Sequence, residues 1–316
     1  MRNYTLSKLI FIPILLCLSF LAHAENSYSR VYIFGDSLSD TGNLGSVVGG
    51  IPAPYYMNRI SNGPIAMDTF TAKLGDSADA SLHLLGLNAG HNYSVAGATA
   101  YGEEPIDLDT QILAFQSNHA NIAPADALYV IFIGGNDIRD ALHQADTDVA
   151  KTIIQTAINK TQQAITVLSQ IGARSFLIIN TPDIGLIPET RLIATATTNP
   201  AFVSYATALS QSYNKQLHRM LENFEAQKNI KLMTSDLYKL FNKIMKKAGK
   251  LGFTNSNDAC FSRITFTFHP DCNYGLNADK FIFFDEIHPT ARVHKIFGDA
   301  FYDDLTHERY EHHGEH

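Results

Sequence analysis

The chain has 316 residues, 45% of them hydrophobic and 17% charged, with a formal charge of −7 at pH 7. That is ordinary for a soluble globular protein and long enough for one large domain or two small ones. The acidic balance argues against nucleic acid as the main partner and against electrostatic capture by anionic lipid.

The first residues differ from the rest. Arg2 and Lys8 precede an apolar run from Leu9 to Leu21, broken only by Pro13 and Ser19, and then Ala22-His-Ala24. A basic start, a short apolar core and small residues before a cleavage point predict a secretory signal peptide over residues 1–24. The run falls short of the roughly 20 residues of a comfortable membrane span. Export is therefore expected, to the periplasm or beyond, with residues 25–316 forming one domain. Cys17 lies in the leader behind Leu16, which is not the small residue a lipidation site wants, so no lipid anchor is expected. Cys260 and Cys272 remain, a natural disulfide pair in an oxidising compartment. Closing a loop of about 13 residues should contribute on the order of 3 kcal/mol in the chain-entropy model.

Along the chain, Val31-Tyr-Ile-Phe-Gly35 reads as a short buried strand ending in a tight turn, with Gly35 permitting backbone angles other residues avoid. Ser37 follows at the carboxyl end of that strand, where open α/β sheets keep their ligands. Residues 44–64, rich in Gly, Pro, Asn and Tyr, read as an irregular surface loop, and Ile65–Leu74 as a helix. His91–Ala96 looks like a second short strand entering Gly97, and Asp109–Asn118 like a helix. Ala127–Ile133 is apolar throughout, as a strand buried on both faces should be, and runs into Gly134-Gly-Asn136-Asp137. Residues 146–171 carry helical apolar spacing, with Asp146 or Thr147 as cap. Ser175–Ile179 and Ile230–Met233 read as strands; Asn199–Gln227 and Ser235–Lys247 read as helices. The segment from Cys260 to Asp279 has little periodicity. A strand, Phe281–Phe284, and a helix from Pro289 to about Leu305 finish the chain, with Pro289 suited to the first helical position. Alternating strands and helices predict a mainly parallel sheet covered on both faces.

Ser37 can serve as a nucleophile only with a base, and the base needs a partner that fixes its tautomer. Among thirteen histidines, His288 stands out because Asp285 lies three residues earlier in one turn and can fold back onto Nδ1. His91, His269 and His294 read as packing or surface residues. The terminal His307, His312, His313 and His316 lack zinc-type spacing, so no metal site is expected. The oxyanion of ester hydrolysis needs preorganised neutral donors. The candidates are the backbone N–H at Ser37, the N–H of Gly97 and the side-chain amide of Asn136.

Together, Gly35-Asp-Ser37-Leu-Ser39, Gly97, Gly134-Gly-Asn136-Asp137 and Asp285-Glu-Ile-His288-Pro289 resemble, in order and context, the four blocks of the GDSL, or SGNH, hydrolase family. The resemblance implies a three-layer α/β/α flavodoxin-like SGNH-hydrolase fold with a mainly parallel central sheet. It also implies Ser37 as nucleophile, Asp285 and His288 as its partners, and Ser37, Gly97 and Asn136 as the oxyanion hole. The G-x-S-x-G elbow of α/β-hydrolases is absent. Gly35–Asn43 and the stretch Pro54-Tyr55-Tyr…Arg59-Ile-Ser-Asn-Gly-Pro64 resemble the long lipolytic branch. The cysteine loop followed by Phe284-Asp285-Glu-Ile-His288 is similar to secreted bacterial lysophospholipase A and glycerophospholipid:cholesterol acyltransferase relatives. That likeness implies a lysophospholipid or phospholipid substrate, transient contact with a membrane or micelle surface, no cofactor and no obligate protein partner. Phe261, Ile264, Phe266 and Phe268 fit equally well as an acyl-chain lining or as packing beneath a stapled loop. Two rival readings share the residues: a carbohydrate O-acetylesterase, and a non-catalytic binding protein on the same scaffold.

Overall fold

A computed structural model describes residues 28–225 and 229–313; the expected leader lies outside them, as do the side chains of residues 307–316. In chain order the elements are β1 (Val31–Gly35), α1 (Asn43–Val48), α2 (Ala66–Lys73), α3 (Leu108–Asn118), β2 (Leu128–Phe132), α4 (Gly135–Leu142) and α5 (Thr147–Gln170). There follow β3 (Ser175–Ile179), α6 (Pro188–Ala196), α7 (Ala201–Glu225), β4 (Lys231–Ser235), α8 (Leu237–Lys246), β5 (Asn255–Ala259), β6 (Phe261–Ser262), β7 (Thr267–Phe268), β8 (Phe281–Phe283) and α9 (Ala291–His313). Among the described residues no helix is long and apolar enough to cross a membrane.

The apolar runs form the centre. Strands β1 to β4 make one parallel sheet in the order β1-β2-β3-β4, with Gly35 level with Phe132 and Phe132 level with Ile179. Successive side chains point to opposite faces, so each strand packs against two helical layers. Tyr129 meets Phe115 of α3 on one face, and Phe132 meets Phe301 of α9 on the other. The connecting helices α3, α5 and α7 pack on one another, whereas α2 packs along α9. The fold is thus α/β, with a parallel four-stranded sheet flanked by helices.

Four local expectations need correction. The strand expected at His91–Ala96 is reduced to a bridge at Asn92, although Tyr93 N–H still donates to Ile33 O and Val95 N–H to Gly35 O. Residues 44–64 are not wholly irregular, because Asp40 accepts the N–H groups of Gly42, Asn43 and Leu44 and so starts α1. The strand near residue 281 does not join the central sheet; β8 pairs in parallel with β5 as a separate ribbon. Pro289 is not the first residue of the closing helix. It bridges back to Phe283, and α9 begins at Ala291.

Gly35 is required, but for a different reason from the one read in the sequence. Its backbone is not in the left-handed region; instead, a Cβ there would lie 2.2 Å from the Phe132 carbonyl oxygen. The glycine lets β1 and β2 close up beside the turn that carries Ser37.

Candidate active site

Ser37 stands two residues beyond the end of β1, and its turn is braced from several sides. The Gln111 side chain accepts from Gly35 N–H at 2.9 Å and donates to Gly35 O at 2.8 Å, extending the sheet's hydrogen bonding with an amide. Ser39 and Asp40 N–H both donate to Asp36 O, closing the turn.

His288 arrives from the opposite end of the chain. Its Nε2 lies 2.8 Å from Ser37 Oγ, and its Nδ1 lies 2.9 Å from both Asp285 oxygens. Asp285 Oδ1 also accepts the N–H groups of Ile287 and His288, at 2.8 and 2.7 Å. The carboxylate therefore folds its own loop before it orients the ring. Burial alone would push Asp285 up. The charge and hydrogen bond of His288, with the two backbone N–H groups, outweigh it and hold the carboxyl at about 2. An ionised Asp285 facing Nδ1 puts the ring proton there and leaves Nε2 as an acceptor.

Of the donor candidates, Asn136 shares the cavity wall with Ser37. Residues 92–95 run beside β1, and Gly97 follows two residues after Val95, whose N–H donates to Gly35 O. Gly97 has φ 93°, a conformation that favours glycine. Among the described residues, no hydrogen bond takes up the N–H of Ser37 or of Gly97. Asn136, in the first turn of α4, gives one amide hydrogen to Ala98 O at 2.9 Å, which leaves the other free. The structure joins Ser37, His288 and Asp285 in one hydrogen-bonded row, with Asn136 in the same cavity wall, and Cys260 is joined to Cys272. Among the described residues there is no metal-binding cluster.

The walls are less as expected. Beside Ser37, His288 and Asn136 lies an apolar cavity walled by Ile184, Ile187, Phe241, Phe283, Ile287 and Phe297. The four residues of the cysteine loop do not line it. Phe261 and Phe268 pack in a small cluster around the disulfide, while Ile264 and Phe266 are exposed. Their packing role prevails because the loop folds on its own staple, away from the cavity. Asp36, also in the cavity wall, is pushed up to about 6 by burial, against the pull of Leu38 N–H, His288 and Arg139.

A family model described as GDSL-like lipase/acylhydrolase matches residues 31–301. The chain belongs to this family. Within it, Lipase 1 of Photorhabdus luminescens is 30% identical over 187 residues, 57% of this chain but 26% of that relative's length. A GDSL esterase/lipase of Arabidopsis thaliana is 27% identical over 305 residues, covering 80% of this chain and 78% of the relative. A phosphatidylcholine-sterol acyltransferase of Aeromonas hydrophila is 25% identical over 324 residues, covering 86% and 89%.

Around this GDSL site stand residues that sequence reasoning passed over. The Tyr55 hydroxyl donates to Asp285 Oδ2 at 2.8 Å. Ser61 Oγ donates to Pro289 O, and Asn62 Oδ1 accepts the first N–H of α9. The stretch from Tyr55 to Asn62 therefore buttresses the His288 loop. Arg139 bonds Asn136 and is itself clamped by Glu189. Its place three residues after Asn136, on one helix face, is a spacing that could have flagged it.

Proposed function

We propose that this family hydrolase is an exported serine esterase that releases the fatty acid of lysophospholipids. The observation that carries the reading is the hydrogen-bonded row Ser37–His288–Asp285 opening onto an apolar cavity. His288 Nε2 takes the proton of Ser37 Oγ as the oxygen attacks the ester carbonyl. Asp285 balances the imidazolium that forms. The oxyanion is met by the N–H groups of Ser37 and Gly97 and the free amide hydrogen of Asn136. His288 then returns its proton to the leaving alcohol, and water, deprotonated by the same ring, resolves the acyl-enzyme.

The apolar wall beside the nucleophile supports an ester of a hydrophobic acid, and the cavity, about 40 Å³ as it stands, must widen to admit a long acyl chain. Kinship with the Aeromonas acyltransferase supports a glycerophospholipid-type ester and, as an additional activity, acyl transfer to an alcohol other than water. The leader-like residues 1–24 support action outside the cytoplasm, at a micelle or membrane surface.

The test is a panel of p-nitrophenyl esters from two to sixteen carbons beside lysophosphatidylcholine and diacylphosphatidylcholine. Long-chain lysolipid should be cleaved, and Ser37→Ala should lower kcat by at least about a thousandfold. Cleavage of acetyl esters with no fatty acid released from lysolipid would overturn the substrate, and an active Ser37→Ala would overturn the mechanism.

A further inference from the structure

Asn136 is useful as an oxyanion donor only if its amide faces the right way. A side-chain amide turned end for end presents a lone pair where the donor should be. Two contacts decide its orientation here. Ala98 O can only accept, and it receives Nδ2 at 2.9 Å. The Arg139 guanidinium can only donate, and its Nη1 reaches Oδ1 at 3.0 Å. The turned amide would set donor against donor and acceptor against acceptor at once.

Arg139 is itself held. Its Nε and Nη2 make a bidentate pair with Glu189 at 2.7 and 2.9 Å, and both side chains are largely shielded from solvent. Glu189 lies in the first turn of α6, where the helix favours a negative charge, and its N–H donates to Glu286 O. Arg263, from the turn after β6, reaches the same Glu189 oxygen at 3.0 Å. The bidentate clamp keeps a cation that borders the cavity from swinging into it. Polarising Oδ1 with a cation also makes the opposite N–H a stronger donor.

We propose that Arg139, clamped by Glu189, is a positioning residue for ester hydrolysis that fixes the Asn136 amide toward the developing oxyanion. The inference rests on the esterase reading above. It deepens that reading by extending the oxyanion site from one asparagine to an Asn136–Arg139–Glu189 relay that is continuous with the stapled loop.

The test is a double-mutant cycle on a short p-nitrophenyl ester, with active sites counted by fluorophosphonate titration. Arg139→Met should lower kcat about ten- to a hundredfold with KM changed less than about threefold, since a donor acting on the transition state is weakened. In the Asn136→Ala background the same change should cost less than about threefold, because nothing remains to be positioned. Arg139→Lys, which keeps a donor for Oδ1, should recover part of the rate. If Arg139→Met does not fold, Glu189→Gln replaces it in the cycle with the same expectation. Equal losses in both backgrounds, or no loss of kcat, would overturn the proposal. A wild-type protein that is neither labelled nor active overturns the esterase reading itself, and an active wild type with additive effects overturns only the role of Arg139.

Discussion

The nucleophile and its base are held by two unlike parts of the molecule. Ser37 and Asn136 follow β1 and β2, strands of the main sheet with no exposed residue, and the Ser37 turn is braced by the buried Gln111. His288 and Asp285 follow β8, a three-residue strand whose one partner, the largely polar β5, lies outside the main sheet. What the second part lacks in sheet it makes up with cross-links: the Cys260–Cys272 disulfide, the Tyr55 hydroxyl on Asp285, and Arg263 between Glu189 and Glu286. The nucleophile side rests on the continuous main sheet, whereas the base side adds discrete cross-links to one short buried strand. Packing fails all at once, whereas discrete bonds can be removed singly.

Substitutions can break that contrast in order of expected effect. Gly35→Ala forces a Cβ against the Phe132 carbonyl. It should cost more than about 4 kcal/mol, the range of severe core lesions. Chemical denaturation should show it, and a stable variant would mean that the two strands can part without consequence. The double change Cys260→Ser with Cys272→Ser should cost roughly 3 kcal/mol in the chain-entropy model. Its first sign should be proteolytic nicking between residues 260 and 280 while the central sheet still resists; uniform digestion would argue against two separately supported parts. Tyr55→Phe deletes one hydrogen bond to a buried carboxylate. Such bonds are worth about 1.5–3 kcal/mol, so kcat should fall about tenfold or somewhat more, with KM little changed. A rise in KM alone would assign Tyr55 to substrate binding instead.

A further effect concerns pH. His294, buried beneath α2, accepts the Ala66 N–H at 3.3 Å. Burial, helped by the nearby His288 charge, lowers it to about 3 from an ordinary 6.5. Between those values the unfolded chain takes up a proton that the folded protein refuses. The histidine's contribution is whole above pH 6.5 and is lost as pH falls toward 3. The slope is about 1.4 kcal/mol per pH unit. His294→Gln should flatten urea midpoints between pH 6 and 4 relative to wild type, and parallel curves would show that His294 is not held neutral.

The same contrast explains what could be read from the chain. Strands β1 to β4 and helices α2, α3, α5 and α7 were legible because burial on both faces, or on one stripe, leaves a period in the residues. The ribbon strand Asn255-Ser-Asn-Asp-Ala259 has no such period, since its pairing is dictated by Phe281–Phe283 and not by its own composition. Helix α6 was missed although Pro188 stands at its first turn, a signal that had been available. Ser37, Asp285 and His288, which the structure joins, could be singled out because short motifs carry them. Tyr55 and Glu189 were not, because what they touch lies 230 and 50 positions away.

The contact of Ser37 with His288 spans 251 positions, that of Tyr55 with Asp285 spans 230, and that of Ser61 with Pro289 spans 228. Loops of that length close late, after local structure has formed. A chain in which β1 and β2 have paired can therefore present Ser37 before His288 has docked on it. The hydrogen-bonded row is complete only when the loop carrying Asp285 and His288 docks on the Ser37 turn, so the site is among the last features of the fold to form.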